Sequence, residues 1–442
     1  MSQTLTKPIL LDETGQAIKT ALQNIDETES QDWLLGYEDV HSEMDDNVDR
    51  IATALEDIKD ILESGEWYPR YLRVSYYPSW ASVGDTFDIT KLHVYVFMSK
   101  EVKESYIIGE DTRQIDITSQ CEISHKNGDV WVPSNNVITA TWTYGKTGIT
   151  YTASQEITVN VPTFASGDWE GVLSAHYNPD IDFNLYDYWS VGDECSVYIN
   201  GILEDGDTAD KPRSSIQFVI LNEGGKELVT PINGHTECAY IIGTKELVYN
   251  YANGTGILYQ PHAVKQPYKE DAESGTYNGN WEDSTIRNYL NTTFKDASLY
   301  AGSAVLLNPL FKQFYNISAK APISDETIKT ADYFALASLK EIFGVTEISY
   351  GGGTAVSGED SLQQFEYYKT ATNRIKTIPN DEGAGDDVSD HIWLTRSTSY
   401  KIENDWKGVI WVWGKDESSD RSGEPMYSGA RIPKAISPIM VI

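Results

Sequence analysis

Two different hydrophobic periods follow one another along the chain. Over residues 42–65 the apolar side chains recur at alternating spacings of four and three residues, which predicts one seam of an amphipathic helix. With Val or Leu at the a positions and mainly Ile at the d positions, the seam favours three or four helices over two. The seam consists of Met44, Val48, Ile51, Leu55, Ile58 and Leu62. We therefore predict that residues 1–65 are a helical anchoring and oligomerisation segment. We expect this segment to form a coiled coil, most simply a homotrimer. The alternative is a single amphipathic helix that packs on its own domain.

From Trp67 onward the period shortens to two. Runs such as YLRVSYY, KLHVYVFMS and NNVITATWTY alternate β-branched or aromatic residues with polar ones, and Gly, Asn, Asp or Pro separates the runs. This pattern is typical of short antiparallel strands in a sandwich. Pro162 cannot continue a strand ladder, so we predict an all-β sandwich over residues 66–161.

Residues 162–442 mix both patterns. YWSVGDECSVYI and the final ISPIMVI indicate strands, whereas GNWEDSTIRNYLN and SLKEIFG have helical spacing. In the first helical stretch Trp281, Ile286, Tyr289 and Leu290 fall on one side. Helices embedded among strands predict an α+β head domain here.

Composition restricts the possible partners. The 442 residues carry a net charge of −33, which argues against nucleic acid because phosphate binding needs clustered Lys and Arg. The three cysteines show no spacing typical of zinc or of disulfides, so we expect free thiols and no metal or cofactor. The first residues do not read as a secretory signal, and no apolar run is long enough for a membrane span. We expect synthesis in a cytoplasm and no membrane insertion.

Three stretches resemble known families. VGDTFDITKLHVYVFM followed by ITATWTYGKTGITYTASQEITV resembles a bacterial immunoglobulin-like domain, as found in surface proteins and phage fibres. The order YWSVGD, NGNWEDSTIRNYLN, YFALASLKEIFG and IWLTRS resembles an uncharacterised domain of gut Firmicutes and their phages, which implies a C-type-lectin-like fold. KPILLDETGQAIKTALQNI resembles the opening of head-fibre and tail-associated phage proteins.

The stretch DHIWLTRSTSY contains residue types that are common in active sites, but their arrangement does not match a catalytic motif. We expect Trp393 and Leu394 to be core residues, Arg396 to pair with a carboxylate, and His391 to lie at the start of the strand. No nucleophile with a base and an orienting group can be named. Gly423-Glu424-Pro425-Met426 resembles a lectin calcium motif but has Met in place of a ligand. We therefore predict no catalytic, cofactor or metal site and no enzyme activity.

Exposed aromatic residues are the remaining candidate for binding. Trp406, Trp411, Trp413 and Tyr427 lie in a strand-like stretch with polar neighbours, which suits contacts with saccharides or proteins, although core positions are the alternative. A helical segment, a sandwich and a lectin-like head are the expected layout of a virion fibre. We therefore predict a bacteriophage head fibre or tail-associated protein, located in the virion, that docks through its N-terminus and binds host surfaces or glycans. A bacterial adhesin and a cell-wall- or glycan-degrading enzyme are the alternatives.

Overall fold

The computed structural model describes the chain in segments. These are residues 52–53, 67–99, 112–200, 213–247, 281–296, 299–301, 304–305, 312–319, 327–350, 353–356, 359, 361–376, 392–401, 406–413, 422–428 and 436–442. They divide into two compact units. Unit 1 holds the described residues up to 81 together with 85–160, and unit 2 holds residues 82–84 and the described part of 161–442.

Unit 1 is built from short strands. They are β1 (Tyr68–Tyr76), β2 (Trp80–Ser82), β3 (Leu92–Ser99), β4 (Thr112–Asp116), β5 (Glu122–Ile123), β6 (Val137–Thr143), β7 (Thr150–Glu156) and β8 (Thr158–Asn160). The described strands form two three-stranded antiparallel sheets, β1-β3-β4 and β5-β6-β7, and the pair β2-β8.

Alternation of side chains explains how the two sheets meet. On β1 and β3 the register pairs Leu72 with Val96 and Val74 with Val94, and all four side chains are buried. Ile138 of β6 belongs to the same hydrophobic core. Since successive side chains of a strand point to opposite faces, each sheet contributes one apolar face to this core.

Unit 2 contains three larger sheets. Its strands are β9 (Glu194–Asn200), β10 (Arg213–Glu223), β11 (Glu227–Ile232), β12 (His235–Glu237), β13 (Tyr240–Thr244), β14 (Leu299–Ala301), β15 (Ala304–Val305), β16 (Phe314–Ala319), β17 (Thr327–Asp332), β18 (Ala335–Leu336), β19 (Glu347–Tyr350), β20 (Gly353–Val356), β21 (Ile392–Lys401), β22 (Trp406–Trp413), β23 (Pro425–Ser428) and β24 (Pro438–Val441). In the described residues the strand orders are β15-β14-β9-β10-β13-β24-β18, β12-β11-β16-β17 and β19-β20-β21-β22-β23.

Three short α-helices accompany these sheets in the described part of the chain. They are α1 (Glu170–His176), α2 (Thr285–Tyr289) and α3 (Leu339–Phe343). Ser338 begins α3 with a reciprocal capping box with Glu341, and Gly344 ends it at φ 74°. Helices were predicted at both α2 and α3. The structure confirms these helices, with Trp281, Ile286 and Leu290 buried on one side.

The predicted fold class is nevertheless wrong. The described residues are mostly β-sheet, with 44% strand and 21% helix, and the described helices include no N-terminal coiled coil. The six predicted seam positions, Met44 to Leu62, lie outside the described residues. The predicted α+β lectin-like head is likewise replaced by a mainly β unit, because its helical stretches fold into only one or two turns and strand pairing takes over around them.

Candidate functional site

A polar and aromatic pocket opens on unit 2 and encloses about 360 Å³. Its wall comes from the end of α1, from a 3₁₀ turn at Leu185–Asp187, and from the hairpin of β11 and β12. The lining residues are His176, Tyr177, Tyr186, Gly234, His235, Thr236, Glu237, Cys238 and Ala239. This volume lies within the range of small-molecule sites in proteins.

A tight turn places His235 at the pocket. Asn233 and Gly234 both have positive φ, 49° and 90°, and Ile232 pairs with His235 across the turn. Asn-Gly is the strongest sequence signal for such a two-residue hairpin, because both residues tolerate the left-handed conformation. The exposed side chains of His235, Thr236 and Glu237 follow this turn directly.

His176 is a half-buried, neutral imidazole. Its Nδ1 lies 3.3 Å from the backbone N–H of Leu185, which makes Nδ1 the acceptor and leaves the ring proton on Nε2. Burial, helped by the neighbouring His235, lowers the pKa of His176 below its ordinary value. The ring packs edge to face on Tyr186, with centroids 5.1 Å apart, and lies 6.3 Å from the ring of His235.

Tyr177 and Tyr186 differ in their roles at the pocket, since one is a buried structural residue and the other has an accessible ring. The buried Tyr177 hydroxyl donates to the Ile442 backbone oxygen at 3.1 Å and accepts from the Ala239 N–H, so it joins α1 to the sheet. Tyr186 is 37% exposed and presents an accessible ring. Burial raises the pKa of Tyr186 to about 12 and that of Cys238 to about 12, so both stay protonated at neutral pH.

The pocket therefore combines aromatic faces with uncharged donors and acceptors, and Glu237 supplies a carboxylate at its edge. Such a surface can stack on a sugar ring and exchange hydrogen bonds with hydroxyl groups. Among the described residues no cluster of three or more His, Cys, Asp or Glu side chains could hold a metal ion.

A second polar group of residues lies in the interior of unit 2. The buried carboxylate of Glu341 on α3 contacts both Lys226 and Arg396, and the buried Asp332 pairs with Arg287 at 2.6 Å. Burial alone would raise the pKa of Glu341, but Arg396 and Lys226 outweigh it and hold the pKa at about 2. The prediction that Arg396 pairs with a carboxylate is confirmed.

Of the other predictions for DHIWLTRSTSY, the structure tests those for Trp393 and Leu394 but not the one for His391. Trp393 and Leu394 are fully buried on β21, as predicted, and Trp393 lies 6.3 Å from the ring of Tyr368. His391 lies outside the described residues. Cys195 and Cys238 are buried free thiols, as expected, and Cys121 is a free thiol of intermediate burial.

The predicted receptor-binding residues lie on two neighbouring strands. Trp406, Trp411 and Trp413 are on β22 and Tyr427 is on β23, where Tyr427 pairs with the buried Ile410. The structure describes their backbone but not their side chains, so their role as a binding surface stays a prediction. The sequence analysis singled out neither His176, Tyr186 nor His235, which line the pocket.

Comparison of the chain with protein-family models, curated proteins and solved structures gives no match. The resemblances to immunoglobulin-like and phage domains therefore stay predictions. Among the described helices none is long and apolar enough to cross a membrane.

Proposed function

We propose that this protein is a structural component of a bacteriophage virion, a head fibre or a tail-associated protein, and that unit 2 binds saccharides on the host surface. The observation that carries the binding role is the pocket formed by His176, Tyr186 and His235. The virion assignment rests on the sequence resemblances alone. The role is one of attachment and needs no turnover of a substrate.

The chemistry of the pocket favours an uncharged or amino-bearing saccharide. Tyr186 offers a partly exposed ring on which the apolar face of a sugar can pack. The neutral His176 can donate one hydrogen bond from Nε2 to a sugar hydroxyl, and Glu237 accepts hydrogen bonds or pairs with an amine. A net charge of −33 disfavours an acidic ligand.

Substitution of Tyr186 tests this role against a matched control. Tyr186→Ala removes the accessible ring, and we expect a loss of about tenfold or more in affinity, or about 1.4 kcal/mol. Tyr188→Ala is the control, because Tyr188 is 46% exposed, packs on Phe183 and does not line the pocket. Binding of the full chain to an array of neutral and amino sugars, followed by calorimetry on the best ligand, measures both variants.

The outcomes separate the candidate functions. Loss of binding in Tyr186→Ala with retention in Tyr188→Ala supports the pocket. Equal retention in both variants moves the binding role to another surface, for which Trp406, Trp411, Trp413 and Tyr427 are the next candidates. Release of shorter saccharides during the assay would support a glycan-degrading enzyme instead.

A further inference from the structure

Strand pairing brings a lysine and an asparagine side by side in the core of unit 2. β11 and β16 are antiparallel, with Leu228 opposite Phe314. Two residues before Leu228 and two residues after Phe314, on the same face of the sheet, this antiparallel register places Lys226 opposite Asn316. The Lys226 ammonium donates to Asn316 Oδ1 at 3.2 Å. Lys226 is 4% exposed and Asn316 is fully buried.

The carboxamide of Asn316 is held at both ends. Its Nδ2 donates to Asp332 Oδ2 at 2.8 Å, while its Oδ1 faces Lys226. Asp332 also accepts from Trp281 Nε1 at 2.9 Å and from Thr330 Oγ1 at 2.8 Å, which fixes the carboxylate in place. The amide nitrogen is therefore directed away from the amine, as a leaving group should be.

Besides Asn316, two aromatic rings and one carboxylate lie next to Lys226 Nζ. The rings of Phe314 and Phe365 each lie 5.9 Å from the nitrogen, and Glu341 contacts it directly. Burial lowers the pKa of Lys226, against the attraction of Glu341. Desolvation disfavours the ammonium form of Lys226, and a desolvated lysine amine is an activated nucleophile.

We propose that Lys226 and Asn316 join in an intramolecular isopeptide bond. Lys226 Nζ attacks Asn316 Cγ, the new Nζ–Cγ bond forms, the Cγ–Nδ2 bond breaks, and ammonia leaves. Of the three protons on the ammonium, one stays on the new amide, one completes the ammonia, and one passes through Glu341 and leaves with the ammonia as ammonium. No oxidant or other reactant is required, and the step takes place once per chain.

The buried charges favour this reaction. Glu341 contacts two cations, Lys226 and Arg396, and all three side chains are buried. An uncompensated buried charge is costly. Once ammonium has left, Glu341 and Arg396 remain as an ion pair with no net charge. The reacting atoms are near neighbours, because Nζ lies 3.2 Å from Oδ1 and a C=O bond is about 1.23 Å long, so that Nζ and Cγ are at most about 4.4 Å apart.

The mass of the unaltered full chain tests the proposal first. We expect the purified, denatured protein to be lighter than its sequence by one ammonia. Trypsin should then release a branched peptide that contains both Lys226 and Asn316, because trypsin does not cleave after an acylated lysine. This peptide distinguishes the cross-link from ammonia lost elsewhere in the chain.

Two variants add a matched comparison. Lys226→Arg keeps the positive charge but supplies no amine, so its mass should equal that of its sequence. Lys329→Arg is the control, because Lys329 lies on β17 in an exposed ion pair with Glu227 and should leave the cross-link intact. A folded, unaltered chain with its full sequence mass would overturn the proposal, as would a loss of ammonia that maps to other residues.

Discussion

Glu359 is a buried carboxyl group with incomplete hydrogen bonding. It is fully buried, its Oε2 accepts from Ser397 Oγ at 2.5 Å, and its Oε1 has no hydrogen-bond partner in the described part of the chain. Burial raises the pKa of Glu359 from 4.5 to about 7. The folded state therefore binds the proton more tightly than the unfolded chain does.

The sign of the pH effect follows from this pKa. Stability from protonated Glu359 is fully present below about pH 4.5 and is lost as the pH rises towards about 7. At about 1.4 kcal/mol per pKa unit, the loss is about 3 kcal/mol. We expect Glu359→Gln to unfold with a larger free energy than the unaltered chain at pH 8, with little difference at pH 4.5, as measured by urea denaturation.

The exposed Glu347 supplies the control for this experiment. Glu347→Gln removes a carboxyl group of the same kind from the surface of unit 2 and should leave the pH profile unchanged. If Glu359→Gln and the unaltered chain lose stability in parallel between pH 4.5 and 8, Glu359 is not the group responsible.

Two backbone segments of unit 2 are in close contact at Gly84 and Gly171. Gly84 has φ +95°, and a Cβ added there would lie 2.4 Å from the Gly171 Cα. This contact involves backbone atoms, which cannot rotate away as a side-chain end can. A side chain at Gly84 would therefore push the start of α1 out of place.

Gly192 provides a control with nearly the same φ but with free space around it. Its φ is +99°, and an added Cβ would meet nothing within 4 Å. Gly192→Ala should cost about 1–2 kcal/mol from the left-handed conformation alone. We expect Gly84→Ala to lower the free energy of unfolding of unit 2 by clearly more than Gly192→Ala does. Calorimetry of both variants measures the difference. Equal losses of stability in the two variants would show that the backbone segments at Gly84 and Gly171 can separate at no energetic cost.

Local patterns explain which elements the sequence could predict. The helical spacing and the Ser338, Glu341 and Gly344 signals lie within a few residues of one another, so α3 was predictable. The strands near Trp67 and in ISPIMVI were predictable from alternation and apolar runs. The coiled coil and the α+β head were inferred from short helical periods, and such periods do not reveal how much of the chain pairs into sheets.

The sites depend on contacts between distant segments. Lys226, Asn316 and Glu341 come together only through the order β12-β11-β16-β17 and the packing of α3, which no local period encodes. The Asn233-Gly234 turn did carry a readable hairpin signal. Its proximity to His176, however, requires the sheet and α1 to be placed together.

At the scale of the whole molecule, the last strand completes the central sheet of unit 2. β24 lies between β13 and β18, where Ile439 pairs with both Gly243 and Ala335. All four residues of β24 are buried. The strand thus joins parts of the chain that are far apart in sequence, and its backbone groups have no water to replace a lost partner.

Removal of residues 436–442 tests how far unit 2 depends on this strand. The deletion opens the sheet between β13 and β18, exposes apolar faces and leaves buried backbone groups unpaired, so we expect unit 2 to lose its cooperative unfolding transition. Unit 1 has a hydrophobic core of its own, around Trp131 and Phe87, and serves as the internal control. Scanning calorimetry of the full and shortened chains should record one transition fewer after the deletion. A shortened chain that keeps the transition of unit 2 would mean that the seven-stranded sheet closes without β24, and loss of every transition would mean that unit 1 needs unit 2 in order to fold.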